Sequence, residues 1–155
     1  MSQVYDPIRR RWIIATPEEV IRQKWLEVMI GHLGFPQEFI LVEKSLKNLP
    51  HLHEDRSAYP ERRVDILAYA RSEKSEIFPL LLIECKAIKL NEKALKQVVG
   101  YHHIVGSPFI ALANEDEILL GMQRRGELEI FPFLPDYNQL KKAVTLKSVV
   151  SSDHF

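Results

Sequence analysis

The feature that most constrains this chain is an apolar run that ends in charge. Phe78-Pro79-Leu80-Leu81-Leu82-Ile83 leads straight into Glu84-Cys85-Lys86. The run is far too short for a membrane helix, which needs about 20 apolar residues. It reads instead as a central strand buried on both faces. Side chains alternate along a strand, so Glu84 and Lys86 share one side and Cys85 takes the other. A buried strand that ends this way delivers a carboxylate and an ammonium to the mouth of a sheet, where ligands bind.

The neighbouring segments give that strand a setting. Val64-Asp65-Ile66-Leu67-Ala68-Tyr69 reads as a second strand, and residues 72–75 as the turn between the two. Paired as a hairpin, the strands bring Asp65 beside Glu84, because both lie at a similar distance from the turn. Thr16-Pro17-Glu18-Glu19 is a helix start, with Thr16 as cap, Pro17 in the first turn and Glu19 at the capping-box position. Ile21, Trp25, Val28, Met29 and Leu33 continue it at helical spacing, and Gly34 and Pro36 close it. Residues 39–46 are β-like, and 48–61 form a polar loop. Asn91 opens a second helix, closed by Gly106 and Pro108. Residues 109–113 form a strand, 118–122 and 128–133 a hairpin, and 136–144 a last short helix. Val4-Tyr5 and Trp12-Ile13-Ile14 predict a short N-terminal hairpin, and the tail from Ser151 is expected to fray. The fold class is α/β, with a mixed central sheet flanked by helices.

Composition narrows the function. The chain has 155 residues, the length of one domain spanning 1–155, and its 21 basic residues balance 21 acidic ones. A neutral chain has no global basic footprint, so any nucleic-acid contact must be local. Arg9-Arg10-Arg11, Arg62-Arg63, Lys89, Lys93 and Lys96 are the local clusters, and they read first as solvated charge. A single cysteine, no secretory signal and no membrane span point to a soluble, cytoplasmic protein. His102-His103 has no zinc-ligand spacing, because adjacent helix residues diverge. Cys85 is expected to pack in the core.

Two carboxylates with a lysine at one sheet end suit a divalent ion. Asp65 and Glu84 offer hard oxygen donors for Mg²⁺ or Mn²⁺, and Lys86 could orient a water or offset negative charge. The competing reading is an ion-pair network with no chemistry, in which Lys86 simply pairs with Glu84.

Arg63-Val64-Asp65-Ile66, Leu82-Ile83-Glu84-Cys85-Lys86-Ala87 and the pair Gln97 and Tyr101 resemble the PD-(D/E)XK nuclease superfamily. Thr16-Pro17-Glu18-Glu19, Arg22-Gln23 and Gly34-Phe35-Pro36 are similar to the N-terminal nuclease domain of type I restriction enzyme R subunits. The resemblance covers roughly residues 16–122. It implies a restriction-endonuclease-like αβββαβ core, here with a C-terminal β-hairpin extension. It also implies Asp65 and Glu84 as metal ligands, Lys86 as the catalytic lysine, and Glu19 (with Glu18 as substitute) as the first-helix acid. Gln97 and Tyr101 match the family's helix motif, and their i, i+4 spacing puts them on one face. Val64 departs from the usual proline before the aspartate. No Gly-x-x-x-x-Gly-Lys-Ser/Thr pattern is present, so the chain would not drive DNA translocation itself.

The expectation is therefore a Mg²⁺- or Mn²⁺-dependent nuclease acting on DNA, with a separate motor or specificity subunit as partner and a homodimer where both strands are cut. The alternatives are an inactive nuclease-fold module that binds nucleic acid or a partner, and a purely structural domain.

Overall fold

The computed structural model describes residues 1–52 and 58–152, with side chains through residue 145. Part of the expected 48–61 loop and the last three residues of the tail lie outside the described residues. Two N-terminal strands, β1 (Gln3–Asp6) and β2 (Arg11–Ile14), form the small antiparallel hairpin read from the apolar pairs. Its turn is held by Asp6, whose Oδ1 accepts the N–H groups of Ile8 (2.7 Å) and Arg9 (2.9 Å).

Helix α1 (Pro17–Gly31) follows, with Thr16 capping the Glu19 N–H at 3.2 Å. The helix stops before the expected Gly34. That glycine instead makes the reversal at φ 71°, and the Phe35 N–H donates to the Met29 carbonyl at 3.0 Å. β3 (Ile40–Ser45), β4 (Arg63–Arg71) and β5 (Ile77–Cys85) then follow, each antiparallel to the next. Helix α2 (Glu92–Tyr101), capped by Asn91 onto the Ala94 N–H at 2.8 Å, crosses to β6 (Phe109–Ala113). β6 lies parallel to β5, as a helical crossover requires. The hairpin of β7 (Ile118–Arg124) and β8 (Glu127–Phe131) extends the sheet.

The last helix, α3 (Tyr137–Ser152), runs past the expected 136–144. It opens on a reciprocal cap, in which Asp136 Oδ1 takes the Gln139 N–H and Gln139 Oε1 takes the Asp136 N–H. No described helix is long and apolar enough to cross a membrane.

The six strands stand in the order β3-β4-β5-β6-β7-β8, which leaves β3 at one edge. Apolar residues cover both faces. Ile66, Leu81, Ile83 and Cys85 pack with Trp25, Leu26 and Met29 of α1 and Leu140 of α3. Leu67, Leu82 and Leu112 pack on the other face with Leu95 and Val98 of α2. Burial on both faces is why the β5 sequence is a continuous apolar run rather than an alternating one. Its first polar side chain beyond the run, Glu84, emerges where the cover ends.

Candidate active site

The site forms where β4 begins and β5 ends. The β4–β5 pairing ends at Ile66 opposite Ile83, one residue short of Asp65 on β4 and of Glu84 on β5. The Cys85 N–H donates to Asp65 Oδ2 at 2.7 Å, which ties the two strand ends together beyond the last ladder pair. Asp65 Oδ1 accepts from the Arg22 guanidinium at 3.1 Å.

Arg22 is the hub of the acidic cluster. It is buried on α1, and it also pairs with Glu19 one turn earlier and with Glu43 Oε1 of β3 at 2.5 Å. Burial alone would lower its pKa, but Asp65, Glu19 and Glu43 together raise it, so the guanidinium stays charged. Glu43 occupies an irregular position of β3, between the paired residues Val42 and Lys44, at φ 52°. Burial raises the Glu43 carboxyl; Arg22 opposes the rise and the hydrogen bond and charge of Asp65 add to it.

Glu19 is buried and held on two sides, by Arg22 and by Arg9 of the N-terminal hairpin at 2.7 and 2.8 Å. Glu18 is exposed. The capping box is thus only half made: Thr16 caps the backbone of Glu19, while the carboxylate turns to the two guanidinium groups. A charge-assisted hydrogen bond is stronger than one to a neutral backbone N–H. The same pair corrects the reading of Arg9 as solvated charge, since Arg9 Nε also binds Asp6 Oδ2 at 2.6 Å.

Glu84 turns toward α2. Its Oε2 accepts from His102 Nε2 at 2.9 Å, and His102 is fully buried. A carboxylate only accepts, so Nε2 carries the proton. His102 Nδ1 has no hydrogen-bond partner among the described residues. Lys86 is exposed directly beyond the strand end, its N–H bonded to the Ala113 carbonyl at 2.9 Å.

Gln97 and Tyr101 are both exposed on α2. Tyr101 is bound from the β4 side by Arg62, which stacks 3.7 Å from the ring centroid and donates to the Tyr101 carbonyl. No hydrogen bond joins Gln97 to Asp65 or Glu84. Cys85 faces the core, and burial, with Asp65 next, pushes its thiol well above the ordinary range.

Among the described residues, no three histidine, cysteine or acidic side chains form a ready cage for an ion. The donor chemistry still fits Mg²⁺, which keeps several waters and needs only one or two carboxylates from the protein. Asp65, held by Arg22 of α1, and Glu84, held by His102 at the end of α2, are the carboxylates that would supply it.

Residues 17–136 match the family model for the type I restriction enzyme R protein N terminus. The chain belongs to this family. The R protein N-terminal domain also resembles a fragment assigned as the HsdR subunit of a type I restriction enzyme from Vibrio vulnificus YJ016. The TM-score is 0.56 at 17% identity, over 85% of this chain and 26% of that one. The likeness is one of fold, and the chain spans about a quarter of that protein's length. No curated protein sequence matches it.

Three residues of the site escape a reading of the sequence. Arg22 has a legible signal, because Glu19 and Arg22 are three apart on a helix and must be neighbours. Glu43 reaches the site only through the β3–β4 pairing. His102 draws notice in the sequence only as a zinc ligand to be rejected, and its contact with Glu84 depends on how α2 ends.

Proposed function

We propose that this domain is a Mg²⁺- or Mn²⁺-dependent DNA nuclease with a restriction-endonuclease-like αβββαβ core. The observation that carries the reading is the Cys85 N–H bond to Asp65, which joins the ends of β4 and β5 where Glu84 and the exposed Lys86 flank Cys85. Asp65 and Glu84 would hold the ion, which when bound supplies Lewis-acid stabilisation of the phosphoryl group.

The chain's own residues do the rest. The Cys85 N–H and Arg22 fix the Asp65 carboxylate, and His102 fixes Glu84, so neither has to be ordered when substrate arrives. Lys86 orients the attacking water and offsets charge on the phosphoryl oxygens. The water oxygen gives up a proton to solvent as it bonds to phosphorus, the bond to the leaving oxygen breaks, and that oxygen takes a proton from solvent. Glu19 keeps Arg22 in place, and Tyr101 and Gln97 face the incoming strand from α2. In a full-length R subunit, motor and specificity components would deliver the DNA.

The test is nicking of supercoiled plasmid with Mg²⁺ or Mn²⁺. Wild type should cut, and Lys86→Ala and Asp65→Ala should lose about 10²–10³-fold or more, with the exposed Lys86→Ala also keeping the wild-type melting curve in EDTA. Equal cutting by either variant would overturn the mechanism.

A second reading has its own support. Both Asp65 oxygens and Glu84 Oε2 already bond to protein donors. A nuclease-fold module that binds DNA or a partner subunit without cutting it would look the same. It predicts that Mn²⁺ leaves the melting temperature unchanged. A bound ion instead stabilises by about 2.7 kcal/mol at ~100 Kd.

A further inference from the structure

A groove of about 780 Å³ lies between the N-terminal hairpin and the edge strand β3, within the size range of ligand clefts. Its lining carries four cations, Arg9, Arg10, Arg11 and Lys44, against one carboxylate, Glu38. In a chain whose net charge is zero, that imbalance is local and marked. Arg9 is committed to Asp6 and Glu19. Arg10, Arg11 and Lys44 are exposed, and among the described residues no acid pairs with them. Gln37 on the opposite wall donates to the Pro7 carbonyl at 3.1 Å, so the hairpin and the approach to β3 are joined.

We propose that this groove binds the phosphodiester backbone of double-stranded DNA, resting on the reading that DNA is the substrate. Three observations choose this occupant. The free charges are positive and spaced along two walls, as a row of phosphates requires. No aromatic ring lines the groove, so it lacks the stacking platform that single strands use. The groove also shares strand β3 with the candidate site. Val42 and Lys44 line it, while Glu43 between them turns inward to Arg22 and Asp65. A duplex lying against β3 would therefore lie beside the carboxylate cluster, and among the described residues no strand pairs with that edge of β3.

The experiment measures binding of a fluorescent 20-base-pair duplex to the full chain by anisotropy, without Mg²⁺, across a salt series. The comparison is wild type against the triple variant Arg10→Gln/Arg11→Gln/Lys44→Gln. All three side chains are exposed, so its melting temperature should match wild type, which checks the fold. The expected result is at least a tenfold weaker complex at low salt. The slope of log K against log salt should fall by about 0.9 for each lost phosphate contact. Unchanged affinity and slope would overturn the proposal, as would wild-type affinity no higher for duplex than for an equal length of polyglutamate. The nuclease reading fails differently. A wild type that binds through the groove yet never nicks plasmid with Mg²⁺ or Mn²⁺ keeps the groove and loses the catalysis.

Discussion

At the scale of single residues, one side chain links three carboxylates of the candidate site. Arg22 is nearly inaccessible, with 4% of its side chain exposed, and it faces Glu19, Glu43 and Asp65 together. A buried ion pair adds little net stability, but removing one partner strands the others without compensation. Arg22→Ala should therefore cost about 3–5 kcal/mol in urea unfolding. A loss below about 1 kcal/mol would mean that the three carboxylates relax into water. Half of this cluster is legible in the sequence, since Glu19 and Arg22 are a helical i, i+3 pair. Glu43 is not, because a lone glutamate in an edge strand looks solvated until its partner strand is known.

At the scale of elements, close approach explains a residue that looks wrong for its strand. Gly121 sits inside β7, where glycine weakens pairing. A β-carbon there would lie 3.0 Å from Leu128 Cδ1, 3.3 Å from the Ile110 carbonyl oxygen and 3.4 Å from Leu95 Cδ2. Helix α2 thus packs onto the sheet through Leu95 at a point that leaves no room for a side chain. Gly121→Ala should destabilise by about 1–3 kcal/mol, read as a lower denaturant midpoint at constant slope. A neutral result would show that Leu128 swings aside freely. The elements are mostly visible in the sequence, from Thr16 and Asn91 as caps to the apolar runs of the hairpin. The ends are less so. α1 stops at Gly31 rather than Gly34, since the reversal at Gly34 needs a lead-in outside the helix.

At the scale of the whole molecule, the N-terminal hairpin is joined to the domain through Arg9, which bridges Asp6 and Glu19. The hairpin should therefore unfold with the rest, and global stability should register its titration. Burial raises the Asp6 carboxyl, but the Arg9 N–H and guanidinium and the Ile8 N–H outweigh it, leaving the folded pKa below the ordinary 3.8. With the folded value lowered, the unfolded chain binds more protons. This contribution is complete above pH 3.8 and is lost as the pH falls through the folded value. Asp6→Asn should flatten the acid limb of the stability curve below that pH; an unaltered limb would show that the hairpin opens independently. The sequence by itself determined the order of strands and helices, the buried central strand and the hairpin that joins the strands of Asp65 and Glu84. Each of these follows from local periodicity, caps and the length of one turn. Only the tertiary structure decided what faces that pair. Arg22 and Arg9, Glu43 across an irregular rung, and His102 beside Glu84 are remote in sequence or set by where an element ends. Their meeting depends on how helices lie on the sheet, which no short-range pattern encodes.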